Sequence, residues 1–146
     1  MLVKKIFIPC LGLIVASLSY IAVRAQAAAD SGEGVYTADQ AQRGGAAYQK
    51  QCASCHGSEL DGVGPYPPLS EAEFLSKYEG QPVLVLFDKI HTTMPGDHPG
   101  SLTRPETADV LSFILSFNKF PPGKTELPSD EESLKKLQLQ KPAPKP

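Results

Sequence analysis

The chain has 146 residues, and its 14 basic and 16 acidic side chains give a formal net charge of −2 with neutral histidines. Removing residues 1–27, which contain three basic residues and no acidic one, leaves 119 residues with a net charge of −5. A chain of this length suits one small domain, and its acidity argues against nucleic acid as a partner, since that binding depends on basic side chains that neutralise phosphates.

Residues 1–27 have the pattern of a secretory signal. Lys4 and Lys5 provide a basic start, residues 6–23 are mostly apolar, and Ala25-Gln26-Ala27 has the small-x-small form of a cleavage site, with a rival cut after Ala25. The apolar stretch is long for a cleaved signal, so an uncleaved membrane anchor is the alternative. In both cases we predict an exported, periplasmic protein.

A short polar lead-in, residues 28–36, precedes the first predicted helix. Thr37-Ala38-Asp39-Gln40 has the form of a capping box, in which Thr37 caps the helix and the Gln40 side chain reaches back to it. The pattern predicts a helix that ends near Gln51.

The sequence Cys52-Ala53-Ser54-Cys55-His56 follows this helix directly. C-x-x-C-H is the attachment pattern for a c-type haem, because two thiols add across its vinyl groups and the histidine binds the iron as an axial ligand. A thioredoxin-like redox pair or half of a zinc site shares C-x-x-C. No predicted strand precedes Cys52, and the third cysteine is Cys10, inside the predicted signal. We therefore interpret the pattern as covalent attachment of one haem c.

The middle of the chain is predicted to alternate between loops and short helices. Glycines and prolines make residues 57–69 a loop, and residues 70–79 begin a short helix that Gly80-Gln81-Pro82 ends. A longer helix is predicted over residues 82–92. A strand over residues 83–87 is the alternative, and helix is favoured because Pro82 suits a first turn and the apolar pattern continues past it. Residues 93–100 are again predicted to be loop.

A second capping box, Thr103-Arg104-Pro105-Glu106, predicts a final helix that ends near Asn118. Its Phe113 is expected to pack over Gly44 and Tyr48. Gly44 and Gly45 each cost roughly 1 kcal/mol against alanine inside a helix, so we expect a compensating close approach of another helix at this point.

The last segment, residues 121–146, is rich in proline and lysine. Ser129-Asp130-Glu131-Glu132 is predicted to cap one short helix that runs through Leu139. We expect a solvated or loosely docked tail.

The second axial ligand of the iron is predicted to be Met94. It is the one methionine after the signal, and it lies in a loop directly before Pro95. A methionine that merely fills a gap in the core is the alternative, although a helix is the usual place for one. His91, in the last turn of a helix, and His98, beside Asp97, are the competing ligands.

Between residues 37 and 118 the chain resembles class I bacterial cytochromes c, of the small monohaem kind found beside periplasmic quinoprotein dehydrogenases and in oxidase subunits. The resemblance rests on Gly44-x3-Tyr48-x3-Cys52, Cys52-x2-Cys55-His56-Gly57, Gly62-x-Gly64-Pro65, Met94-Pro95 and the helix over residues 108–115. It implies an all-α, cytochrome c-like fold of three to five helices around one covalent haem, with residues 37–120 as the domain.

The resemblance also implies site residues beyond the haem-attachment pattern. In this family a loop proline carbonyl accepts a hydrogen bond from the proximal imidazole, and Pro65 matches that position by its Gly-x-Gly-Pro context, with Pro67 and Pro68 beside it. Burial of the haem, which raises the reduction potential, is expected from Tyr48, Leu69, Phe74, Phe87 and Leu115.

An iron bound by His56 and Met94 has no open position for a substrate, so we expect an electron carrier and not an enzyme. Its expected partners are a quinoprotein or other dehydrogenase and a terminal oxidase or other acceptor, and its acidity favours a basic docking surface. The alternatives are a five-coordinate haem protein that binds a gas or reduces peroxide, and a tethered subunit of a larger redox complex.

Overall fold

A computed structural model describes residues 34–70 and 72–140. The predicted signal or anchor at residues 1–27 lies outside these residues. Within them, no helix is both long enough and apolar enough to cross a membrane. The described chain forms six helices and no extended strand: α1 (Ala38–Gln51), α2 (Ala53–His56), α3 (Ala72–Ser76), α4 (Val83–Thr93), α5 (Arg104–Phe117) and α6 (Glu131–Lys136).

The predicted all-α fold is confirmed. Five of the six described helices fall within residues 37–120, and α2 is a single turn that continues from α1 across Cys52. The sixth helix lies in the segment after residue 120. The apolar stretch at residues 83–87 is helical and not a strand, as the helix prediction for this region requires.

Helices α1 and α5 pack at the glycines of α1, as predicted. A Cβ atom on Gly44 would lie 1.8 Å from the carbonyl oxygen of Asp109 and 3.1 Å from the Cβ atom of Phe113. The rings of Phe113 and Tyr48 lie 5.1 Å apart between centroids. The absence of a side chain on Gly44 thus allows the two backbones to approach closely, and this contact places the end of α1 against α5.

One of the two predicted capping boxes forms completely, whereas the other forms only one of its two hydrogen bonds. Thr103 and Glu106 form a complete box at the start of α5. At the start of α1, Thr37 accepts a hydrogen bond from the backbone N–H of Gln40 at 3.2 Å. The Gln40 side chain does not reach back, because it is buried and pairs with both backbone groups of Leu127, at 3.1 Å and 2.7 Å.

The prediction of a solvated or loosely docked tail is wrong for residues 121–140. Leu127, Leu134 and Leu139 are buried, and Asp130, within the predicted cap, begins a helix that ends at Lys136 and not at Leu139. Leu134 lies in this helix, whereas Leu127 and Leu139 lie in irregular segments before and after it. They therefore show no single periodicity that would reveal a buried face.

Candidate haem-binding site

The C-x-x-C-H pattern forms one helical turn at the end of α1. The N–H of Cys52 donates to the Tyr48 carbonyl at 2.8 Å, which ends α1, and the N–H of His56 donates to the Cys52 carbonyl at 2.9 Å. Cys55 and His56 lie three and four residues after Cys52, so each is its neighbour on the helix surface, and all three side chains line one cavity. The Tyr48 hydroxyl donates to the carbonyl oxygen of Gly57 at 2.9 Å and closes this turn from within the core.

This turn opens on a cavity of about 720 Å³. Cofactor sites in proteins are mostly apolar and span about 300–1,000 Å³. Most of the lining is apolar, and the predicted site residues Cys52, Cys55, His56, Leu69 and Met94 all contribute to it. The other apolar and aromatic lining residues are Tyr48, Tyr66, Pro67, Pro68, Phe74, Tyr78, Leu86, Ile90, Pro95, Val110 and Ile114. The size and chemistry of the cavity fit a haem.

Cys52 and Cys55 are both free thiols, as covalent attachment of a haem requires. Burial, followed by the neighbouring Cys55, raises the pKa of Cys52 to about 11. The free Cys52 is therefore a neutral thiol at physiological pH, and its sulfur faces the cavity without the cost of burying a charge.

The imidazole of His56 is held by Pro67 and not by Pro65. Its Nδ1 lies 2.9 Å from the Pro67 carbonyl oxygen, and because a carbonyl only accepts, Nδ1 carries the hydrogen. The other ring nitrogen, Nε2, then presents its lone pair, the form in which histidine binds a metal. Pro65 is exposed because it lies in the tight turn in which the Tyr66 N–H donates to the Val63 carbonyl.

Met94 caps the C-terminus of α4 and lines the cavity from there. Its N–H donates to the Ile90 carbonyl at 3.0 Å, and Leu86, Ile90 and Met94 follow one another at intervals of four along one helix face. The first two were missed by the sequence analysis, although that periodicity leads directly to Met94. The face shows that α4 forms one wall of the cavity.

The two competing histidines lie outside the cavity lining. His91 faces α5, where its Nδ1 is 3.3 Å from the Thr107 hydroxyl and its ring packs 5.9 Å from that of Phe87. His98 is exposed and pairs with Asp97 at 3.2 Å. Of the three predicted candidates for the second ligand, Met94 is the one that lines the cavity.

Two residues expected to cover the haem do not line the cavity. Phe87 is fully buried on another side of α4, with the Arg104 guanidinium 4.7 Å from its ring centroid. Leu115 is buried in the core and is likewise absent from the lining. On α5 the lining residues are Val110 and Ile114, because a rotation of one residue along a helix changes the direction of a side chain by about 100°.

Comparisons with known proteins agree with this geometry. A sequence model of the family described as "Cytochrome C oxidase, cbb3-type, subunit III" matches residues 39–114. The crystal structure of the sulfane dehydrogenase SoxCD from Paracoccus pantotrophus matches the fold with a TM-score of 0.51 and 20% sequence identity, covering 72% of this chain and 60% of that chain. The chain thus spans less than two thirds of that relative. No curated protein matches the chain.

Proposed function

Because the chain belongs to the family of cbb3-type cytochrome c oxidase subunit III, and is a c-type cytochrome with a covalent haem, we propose that it is a periplasmic carrier of single electrons and not an enzyme. The observation that carries the proposal is the convergence of Cys52, Cys55, His56 and Met94 on one apolar cavity. A bound haem c supplies one-electron chemistry at its iron.

Each of these side chains has a distinct role in the proposal. Cys52 and Cys55 fix a single haem through two thioether bonds. His56 binds the iron through Nε2, while the Pro67 carbonyl fixes its ring orientation and raises its basicity. Met94 would be the second ligand of the iron and would leave no position open for a substrate, which is what distinguishes a carrier from a haem enzyme or a gas-binding protein.

The apolar lining supports the proposed role as an electron carrier through its effect on the reduction potential of the haem. Leu69, Phe74, Leu86 and Ile114 line the cavity and would shield a bound haem from water. Exclusion of water and a thioether ligand both raise the reduction potential of a haem. A carrier between a dehydrogenase and an oxidase needs a potential that lies between those of its partners.

The proposed partners are a dehydrogenase as donor and a terminal oxidase or other acceptor. The family description names an oxidase subunit, and the structural relative is named a dehydrogenase. A net charge of −5 after residue 27 supports docking to a basic surface on the partner. Permanent tethering through an uncleaved N-terminal segment is the alternative mode of association.

Three measurements on the purified holoprotein test the proposal: haem extraction, redox titration and carbon monoxide binding. Acid–organic extraction of the denatured protein should leave the haem on the chain, and Cys52→Ala with Cys55→Ala should give little holoprotein. A redox titration should show one reversible single-electron step, and the reduced protein should not bind carbon monoxide readily. Haem that leaves with the solvent contradicts covalent attachment, and ready carbon monoxide binding by the wild type contradicts a carrier with both axial positions filled.

A further inference from the structure

The segment over residues 121–140 lies beyond the part of the chain that matches the family, residues 39–114, and it includes α6. Helix α6 packs against α4, and its one buried residue is Leu134, which is fully inaccessible to solvent. Leu139, three residues after α6 ends, is also buried. The side of α4 that packs against α6 is therefore covered by residues outside the family match.

The same segment supplies hydrogen bonds to the start of α4. The first N–H groups of a helix have no partner inside it. The N–H of Val83, the first residue of α4, donates to the Leu137 carbonyl at 2.8 Å. Just before it, Gly80 donates to Leu139 at 2.8 Å, and Leu139 donates to Gln81 at 3.0 Å. Residues 137–139 thus complete the N-terminus of α4 and fix its position.

Arg104 joins the segment to both α4 and α5. From the first turn of α5 its Nε donates to the Ser129 carbonyl at 2.5 Å, and its guanidinium stacks over the Phe87 ring of α4. The charge of Arg104 also contributes, after the ion pair with Lys135, to a lowered pKa of Glu131 at the start of α6. The Arg104 side chain therefore links α5, α4 and the segment before α6.

The two sides of α4 carry different parts of the structure. Leu86, Ile90 and Met94 line the haem cavity, whereas Val83 and Phe87 are fully buried away from it, on the side that the tail and Arg104 cover. We infer that residues 129–139 act as a positioning segment that holds α4 in place and so keeps Met94 on the haem iron. The inference rests on the proposed function, because it requires Met94 to be an axial ligand.

The physical basis is local opening. Segments of a folded protein open with free energies below that of global unfolding, and contacts specific to a segment set how often it opens. Contacts between the tail and α4 stabilise the closed position of α4. Loss of these contacts raises the population in which Met94 has left the iron, while His56 and both thioether bonds stay in place on α1 and α2.

The test compares two buried leucines of the tail in the full-length holoprotein. Leu134→Ala truncates the one buried side chain of α6, the helix that packs against α4, whereas the matched control Leu127→Ala truncates a buried leucine at the Gln40 side chain of α1. Both variants lose the same atoms. The reduced proteins are mixed with carbon monoxide, which binds when Met94 is displaced, and the rate is compared with global unfolding by denaturant.

Leu134→Ala should bind carbon monoxide about tenfold faster or more than both the wild type and Leu127→Ala, because it weakens the closed state of α4 locally. Its reduction potential should also fall, since a fraction of the haem loses its thioether ligand. Equal rates in the two variants, or rates that follow only their global stabilities, would overturn the inference. The milder pair Leu134→Val and Leu127→Val serves if either alanine variant does not fold.

The wild-type rate separates the two hypotheses. A wild type that binds carbon monoxide as fast as Met94→Ala contradicts the proposed function, and with it the role of the tail. If the wild type and Leu134→Ala both bind carbon monoxide slowly and at the same rate, the positioning role of the tail is contradicted, whereas the proposed electron carrier is not.

Discussion

The hydroxyl of Tyr48 donates a hydrogen bond to the carbonyl oxygen of Gly57, 2.9 Å away, across the haem-attachment turn. Tyr48 is fully buried, and burial raises its pKa well above the usual value, so the hydroxyl remains a donor at all physiological pH values. The bond ties the residue after His56 to the last turn of α1. The turn that carries both cysteines and the histidine is thus fixed from the protein side.

We expect Tyr48→Phe to lower the free energy of unfolding by about 1 kcal/mol, because the buried Gly57 carbonyl loses the shorter of its two hydrogen bonds. Its weaker bond from the Leu60 N–H, at 3.3 Å, and the ring contact of residue 48 with Phe113 remain. Denaturant unfolding of the holoprotein measures this loss. Tyr66→Phe is the matched control, since Tyr66 is 50% exposed and should change stability by less than about 0.5 kcal/mol. Equal stability of the two variants would show that the bond contributes nothing.

Gly44→Ala should destabilise the protein although alanine is the better helix former. The new methyl group would lie 1.8 Å from the Asp109 backbone oxygen, so α1 and α5 must separate, at a net cost of about 1–3 kcal/mol. Thermal unfolding measures the cost. Gly45→Ala is the control with a smaller expected loss, because its methyl group meets only the Phe113 ring at 3.1 Å, and a side chain shifts more easily than backbone. A Gly44→Ala protein as stable as the wild type contradicts the close approach.

The capping box of α5 makes the free energy of unfolding depend on pH through the carboxylate of Glu106. Hydrogen bonds from the Thr103 hydroxyl and then the Thr103 backbone hold the pKa of Glu106 below its usual value of 4.5. The charged carboxylate binds fewer protons in the folded state than in the unfolded state. Its contribution is therefore complete above pH 4.5 and is lost as the pH falls through the lower folded pKa.

In denaturant titrations across this range, the stability advantage of the wild type over Glu106→Gln should shrink as the solution is acidified. Glutamine keeps the shape and one acceptor oxygen but removes the charge, so the comparison isolates ionisation. An advantage that is constant from neutral pH to well below pH 4.5 would contradict the assignment.

Docking to a basic partner should respond to salt. The rate at which the proposed dehydrogenase donor reduces the protein should be higher at low ionic strength and fall as salt is added, because screening weakens attraction between opposite charges. Stopped-flow reduction measures the rate, and reduction by a small uncharged quinol is the control that should change little. Rates that are independent of salt with both donor and acceptor would indicate apolar docking or a permanent tether.

The longer helices and the C-x-x-C-H pattern that follows α1 could be predicted from local sequence patterns. Capping residues, glycine spacing and C-x-x-C-H act within a few residues of one another, so the sequence carries them directly. The strand alternative at residues 83–87 failed because Pro82 and the continued apolar pattern fit a helix, as expected.

The features that were missed depend on contacts between distant residues. Pro67 replaces Pro65 because the loop turns tightly at Val63 and Tyr66, and that geometry cannot be read from a series of three nearby prolines. Gln40 points to Leu127, 87 residues away, instead of to its own helix. The tail docks on the side of α4 that faces away from the cavity, and only the tertiary structure shows which side that is.

The coordination of the haem iron in Met94→Ala tests the account most directly. We predict that the wild-type absorption spectrum is that of a low-spin haem with both axial positions filled, and that Met94→Ala binds carbon monoxide or cyanide readily and has a lower reduction potential, because the thioether is lost. His91→Ala and His98→Ala, whose side chains lie outside the cavity lining, should keep the wild-type spectrum. An unchanged spectrum and potential in Met94→Ala, with loss of ligation in either histidine variant, would contradict the account.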